Sequence, residues 1–264
     1  MNLRQNIQDH RVASGHVALW PLGQSGFIVK SPAGKIVAID PYLTNSCQPL
    51  GVPGGINMDR LFPPPLFPAD LAGIDRYVMT HSHQDHLDPE TLAGYRAAGG
   101  RGSYLCPAET ADKLRKLGVP ADQILVTWPN QVHRVGDLQI RATFAIPNGP
   151  DDLTHVGYLV AVDDGPRVYF TGDTAYHDIL AIAMKPHHPD VLVAVINGAY
   201  LNMGASEAAR LARELDVKIA IPCHHDLFPD NSVPPRMLRS NLQMEGIADR
   251  YRAPAIGQAY TYPE

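Results

Sequence analysis

Apolar positions along this chain fall into short runs separated by turn residues, a pattern that predicts many strands and a few amphipathic helices. Residues 16–20, 26–30 and 35–39 read as three strands, and the Ser31-Pro32-Ala33-Gly34 link makes a hairpin of the last two. Residues 41–75 lose the pattern. They carry Gly51-Val52-Pro53-Gly54-Gly55 and Pro63-Pro64-Pro65, and a long irregular segment of this kind is often a binding loop or lid. A strand over 76–80 then runs straight into His81-Ser82-His83-Gln84-Asp85-His86. Asp88 is placed to cap a helix with Pro89 in its first turn.

Further on, residues 108–117 and 206–215 are helical. The second of these helices sets Ala208, Leu211, Ala212 and Leu215 on one face. Residues 123–127, 138–144, 156–162, 168–171, 191–196 and 217–222 read as strands. Strands come first, then strands mixed with helices, twice over, with no repeat and no internal linker. The expected class is α/β: two mixed β-sheets packed together with helices outside, in one domain over 1–264.

Composition narrows the function classes. The 264 residues are 45% hydrophobic and 19% charged with a net charge of -5, which suits a folded enzyme and offers no clustered basic face for nucleic acid. The three cysteines, Cys47, Cys106 and Cys223, are odd in number and widely spaced, so a reducing compartment is the simpler reading. The N-terminal residues are polar, and no apolar stretch approaches the ~20 residues of a membrane span. A cytoplasmic protein with a small-molecule substrate, and neither a membrane nor a nucleic-acid partner, is the expectation.

Histidine is over-represented, at twelve. His81, His83, Asp85 and His86 lie within six residues directly after a strand. At a strand end His81 and His83 share a face, because side chains alternate with period two, and the following turn brings Asp85 and His86 toward the same point. Imidazole and carboxylate donors together suit one or two divalent ions such as Zn²⁺, Mn²⁺ or Fe²⁺.

His81-x-His83-x-Asp85-His86 after a strand resembles the metal motif of the metallo-β-lactamase-fold hydrolases. That family takes further ligands from later strand ends. Tyr169-Phe170-Thr171-Gly172-Asp173-Thr174 is similar to its Gly-Asp element, and Ile221-Pro222-Cys223-His224-His225-Asp226 to its last element. The resemblance implies Asp173 as a metal-bridging carboxylate and His224 as a ligand. His225 then points the other way, toward substrate or packing, since neighbours on a strand face opposite sides. Segments around 18–26, 80–88, 171–176, 202–206 and 217–228 look like the L-ascorbate-6-phosphate lactonase branch. That resemblance implies a lactone substrate, a sugar-phosphate lactone among the options, a homo-oligomer, and one or two Mn²⁺ or Zn²⁺ ions.

The implied division of ligands is His81, His83 and Asp173 for one ion, and Asp85, His86, His224 and Asp173 for a second. One departure stands out. The family usually has another histidine before its Gly-Asp element, where this chain reads Phe144-Ala145-Ile146-Pro147-Asn148-Gly149. Asn148 and His155 are the two residues open for that place, with His155 read mainly as a substrate or structural residue. Asp40 is expected to orient the histidine loop and His177 to face substrate. His187 and His188 read as loop residues, and Cys223 as a small buried residue. The implied chemistry is attack of a metal-activated water on a lactone carbonyl, with Asp85 or His225 protonating the leaving oxygen. A phosphodiesterase of the same fold and a non-catalytic metal-binding protein are the competing readings.

Overall fold

The computed structural model describes residues 2–147, 149–150 and 152–264. Its strands are β1 (Val17–Gly23), β2 (Gly26–Lys30), β3 (Ile36–Ile39), β4 (Arg76–Val78), β5 (Ser103–Cys106), β6 (Ile124–Val126), β7 (Val132–Val135), β8 (Leu138–Phe144), β9 (Val156–Val162), β10 (Arg167–Phe170), β11 (Val191–Val195), β12 (Ile219–Cys223) and β13 (Tyr260–Tyr262). The helices are α1 (Leu3–Asp9), α2 (Gln48–Gly51), α3 (Pro89–Ala97), α4 (Ala108–Lys116), α5 (Asp178–Met184), α6 (Ala205–Glu214) and α7 (Arg236–Met244).

They assemble into a seven-stranded sheet ordered β13-β1-β2-β3-β4-β5-β6 and a six-stranded sheet ordered β12-β11-β10-β9-β8-β7. Both sheets are mixed. Antiparallel pairing in β13-β1-β2-β3 gives way to parallel pairing in β3-β4-β5-β6, and parallel β12-β11-β10 gives way to antiparallel β10-β9-β8-β7. The expected pair of mixed sheets flanked by helices is therefore present.

Strand β1 is buried along its whole length, which follows from its two-sided environment. Val17 and Leu19 point into the core shared with β8–β12, together with Phe27, Val29, Val37 and Ile39. Ala18, Trp20 and Leu22 point the other way, into a second core with Ile28 and Ala38 that is covered by Leu92 and Tyr95 of α3 and Leu114 of α4. Period-two alternation thus feeds two cores from one strand. Each fully buried Val, Leu or Ile contributes about 1.5–3 kcal/mol. On the far sheet, α6 lays Ala208, Leu211 and Ala212 into the shared core, on the face expected for it.

Asp88 caps α3 through the Glu90 amide, with Pro89 in the first turn. Segment 41–75 stays largely irregular, broken only by α2 and short 3-10 turns. Among the described residues, no helix is long and apolar enough to cross a membrane. Strands β3, β4, β10 and β12 deliver their carboxyl ends to one rim, where the two sheets meet, and the chemistry-bearing residues collect there.

Candidate metal centre

The histidine loop leaves β4 and is fixed from behind by Asp40, at the end of β3. One carboxylate oxygen of Asp40 accepts from the Thr80 amide at 2.8 Å. The other accepts from the Thr80 hydroxyl at 2.6 Å and from His86 Nδ1 at 2.8 Å. His81 Nδ1 lies 3.0 Å from the same Thr80 hydroxyl. With their Nδ1 protons directed at Asp40 and Thr80, His86 and His81 turn Nε2 lone pairs inward. Asp40 thus touches the loop that it is expected to orient. The backbone of Asp40 sits in the left-handed region (φ 43°), strain of about 1–3 kcal/mol held at the site.

His155, just before β9, points its ring into the same cluster. Its centroid is 4.0 Å from that of His81 and 5.4 Å from that of His83. Its Nδ1 lies 3.2 Å from the Asp173 carbonyl oxygen, which again turns Nε2 inward. Asp173 follows β10 and Gly172. Asn202 donates to its Oδ2 at 2.8 Å, while Oδ1 approaches His86 Nε2 at 3.4 Å. His224 ends β12 with a left-handed backbone (φ 58°) and places Nε2 3.3 Å from both Asp85 Oδ2 and Asp173 Oδ2.

Three sets of donor atoms lie within 4.8 Å of one another: His81 with His83 and His155, His81 with His86 and Asp173, and Asp85 with His86 and His224. His81 Nε2, His86 Nε2, His155 Nε2 and Asp173 Oδ1 are all buried and without a hydrogen bond. Buried polar atoms are normally satisfied, and orphans gathered in two overlapping groups, His155 with His81 and His86 with His81 and Asp173, fit a divalent cation or two.

Electrostatics separates the two sides of this cluster. Burial pushes His81 well below the usual histidine range, and the neighbouring His86 and His155 add to that. His155 is also lowered by burial. Burial would lower His86 and His224 too, but Asp173 and Asp85 outweigh it. His86 is held well above its ordinary value, and His224 is raised to about 9. Conversely, burial would raise Asp173 and Asp85, yet the adjacent His86 and His224 hold both carboxyls well below the usual carboxylate range. The carboxylates are ionised, His81 and His155 offer lone pairs, and His86 and His224 would offer theirs once a cation replaces the protons that Asp173 and Asp85 favour, a donor set that can hold a cation beside an open cavity of about 270 Å³.

His81, His83, Asp85, His86, Asp173 and His224 are all brought together. His155 joins them, in a group with His81 and His83, a position the sequence reading gave mainly to substrate or structure. The register of β8, β9 and β10 explains this: Phe144 pairs with Val156 and Tyr158 with Phe170, which sets the residue before β9 beside the end of β10. His225 is directed elsewhere. Its Nδ1 lies 3.1 Å from Asp226 Oδ2, and it lines a separate narrow cavity with Pro222 and Ile256. His177 is exposed and caps α5, accepting from the Ile179 amide at 3.1 Å. Asn148 lies outside the described residues.

Gln24 was not singled out from the sequence. It sits buried in the turn between β1 and β2 with a left-handed backbone (φ 53°). Its Nε2 donates to Asp85 Oδ2 at 2.8 Å and lies 3.0 Å from His224 Nε2, and its carbonyl accepts from the His224 amide at 2.8 Å. A polar residue in a tight turn inside an otherwise apolar hairpin was the available signal. Asp152, which accepts from the Ser82 amide at 2.7 Å, and Asn202 are further supports that became visible only in three dimensions.

Known proteins resemble this chain in sequence and in fold. The model of the β-lactamase superfamily domain matches residues 37–225. A metal-dependent hydrolase of Myxococcus xanthus is 28% identical over 78% of this chain and 70% of its own length. A probable L-ascorbate-6-phosphate lactonase of Shigella boydii is 27% identical over 99% of this chain and 85% of its own length. Among solved structures, a metallo hydrolase from the archaeon Ignicoccus hospitalis superposes with a TM-score of 0.73 at 24% identity, covering 94% of this chain and 99% of that one. With the family model spanning most of the chain and the fold shared, the chain belongs to the β-lactamase superfamily.

Proposed function

We propose that this chain is a metal-dependent hydrolase that opens a lactone or a similar carboxylic ester. The observation that carries the reading is the convergence of unbonded Nε2 atoms of His81, His86 and His155 with Asp173 Oδ1 beside an open cavity. His81, His83, His155 and Asp173 would hold one ion, and Asp85, His86, His224 and Asp173 a second. A bound divalent cation of the Mn²⁺ or Zn²⁺ type supplies Lewis acidity and a water acidic enough to be deprotonated near neutral pH.

The chain's own residues do the rest. Asp40 and Thr80 hold the tautomers of His86 and His81, Asn202 holds one oxygen of Asp173, and Gln24 holds Asp85 against His224. Asp85 lines the cavity as an ionised carboxylate, so it would accept the proton that the attacking water loses and pass that proton to the leaving oxygen; His225 lines a separate cavity. The lactone assignment draws on the likeness to the lactonase of Shigella boydii.

The test is elemental analysis followed by assay on sugar lactones with Mn²⁺ and Zn²⁺, for the parent chain, Asp173→Ala and His83→Ala. Both substitutions are expected to lower bound metal and turnover together. Full activity with unchanged metal in either variant would refute the ligand assignment.

A further inference from the structure

The cavity is lined by His83, Asp85, Asp173 and His224 of the cluster together with Met58, Tyr200, Asn202 and Asn231. We infer that the substrate is a small uncharged acyl compound whose polar groups are read by Tyr200 and Asn231, and that a phosphate-bearing counterpart is the poorer substrate. The inference rests on the hydrolase reading, because it is the reacting carbonyl that must lie against the His/Asp cluster. The remainder of the molecule then falls against Met58, Tyr200 and Asn231.

No lysine or arginine lines this cavity among the described residues. A phosphate carries about -1.5 to -2 charges near neutral pH and is normally met by charge-assisted bonds from cations. Arg60, two residues from Met58, does not line the cavity, although its Nη2 is buried without a hydrogen bond among the described residues. Its guanidinium lies 5.0 Å from the Tyr42 ring centroid and 5.9 Å from that of Phe62, and it bonds the carbonyls of Tyr42 and Thr44. Lys113 bonds the Ser82 carbonyl and lines a different cavity with Lys116. A phosphate remote from the cluster would meet neutral groups. The volume of about 270 Å³ falls just under the range of drug-sized sites, which suits a single ring.

The wall that would read such a ring is unusually constrained. Tyr200 and Leu201 both occupy the left-handed region (φ 53° and 65°), which side chains adopt only under strain. The loop is tied by Gly198 N to Met203 O at 3.1 Å, Asn202 N to Ala199 O at 3.0 Å and Met203 N to Thr174 O at 2.9 Å. Strain retained beside a cavity marks a side chain whose position matters. The Tyr200 hydroxyl has no hydrogen-bond partner among the described residues and is available to substrate. Asn197 donates to Asn231 Oδ1 at 2.9 Å, which makes the NH₂ end of Asn231 the donor left for a ligand.

The test compares D-glucono-1,5-lactone with its 6-phosphate as substrates of the metal-loaded protein, and the corresponding lactam with its 6-phosphate by calorimetry. The neutral lactone is expected to have a kcat/KM at least about tenfold higher, with the lactam affinities ranked the same way. Tyr200→Phe should lower kcat/KM for the neutral lactone about three- to tenfold, the loss of one hydrogen bond, with bound metal unchanged. Equal or better turnover or binding of the phosphorylated member overturns the inference, as does failure of the neutral lactam to bind. Tight binding of the neutral lactam without turnover of any lactone would instead overturn the hydrolase reading, and with it the claim that the bound molecule is a substrate, while the cavity's preference for the neutral ligand would stand.

Discussion

The two sides of the metal cluster are built by the same rule from different donors. The loop over residues 81–86 gives His81 and His83 to one side and Asp85 and His86 to the other, and each side is completed by one histidine from far along the chain. His155 completes the first, His224 the second, and Asp173 stands between them. The first side is imidazole-rich and poor in charge, so burial keeps His81 and His155 low. The second mixes imidazole with carboxylate and has extra support from Asp40 and Gln24. The difference teaches that a short contiguous motif can seed two unlike donor environments, one of imidazoles and one of imidazoles mixed with carboxylates.

The comparison breaks most visibly at its shared member. Asp173→Ala should empty both sides and cut turnover about a thousandfold, ~4 kcal/mol of barrier, with bound metal near zero by elemental analysis. Retention of one equivalent would show that the sides do not share this carboxylate. Next in size, His155→Ala and His224→Ala should each remove one side, halving metal content and lowering turnover about a hundredfold, ~2.7 kcal/mol. A His155→Ala protein with unchanged stoichiometry and zinc affinity would remove His155 from the first side.

Gln24→Ala sharpens the contrast further. It should weaken the more weakly held ion about tenfold, at the lower end of what outer partners of ligands contribute, and leave the tighter ion alone. A cobalt-substituted protein reads this directly, since only one of two visible-absorption titration steps should shift. The smallest effect belongs to a histidine outside both sides. His177→Ala should cost about 1 kcal/mol of stability in chemical denaturation through the lost cap of α5, with turnover unchanged. A fall in turnover would return His177 to the substrate-facing role that its sequence position suggests.

Much of the fold was legible because its signals are local. The apolar runs that became β1, β2, β8, β9 and β11, the Asp88-Pro89 helix start and the face of α6 all depend on periodicities within a few residues. Elements without such patterns were missed. Helix α1 is short and polar, with only Ile7 buried, and β13 exists because it pairs with β1 from the far end of the chain. Helix α7 was missed although Leu238 and Leu242 sit one turn apart on its buried face, because nine residues give that spacing too few repeats to stand out.

By itself, the order of residues determined that imidazoles and carboxylates would crowd the loop after β4, because adjacency and period-two alternation are written locally. Only the tertiary structure decided that His155 rather than a neighbour would face His81, that Gln24 would reach across to Asp85 and His224, and that His225 would turn away. Those outcomes hang on strand register and on backbone pairing between residues as distant as Gln24 and His224. A shift of one residue in register would have sent each side chain to the opposite face.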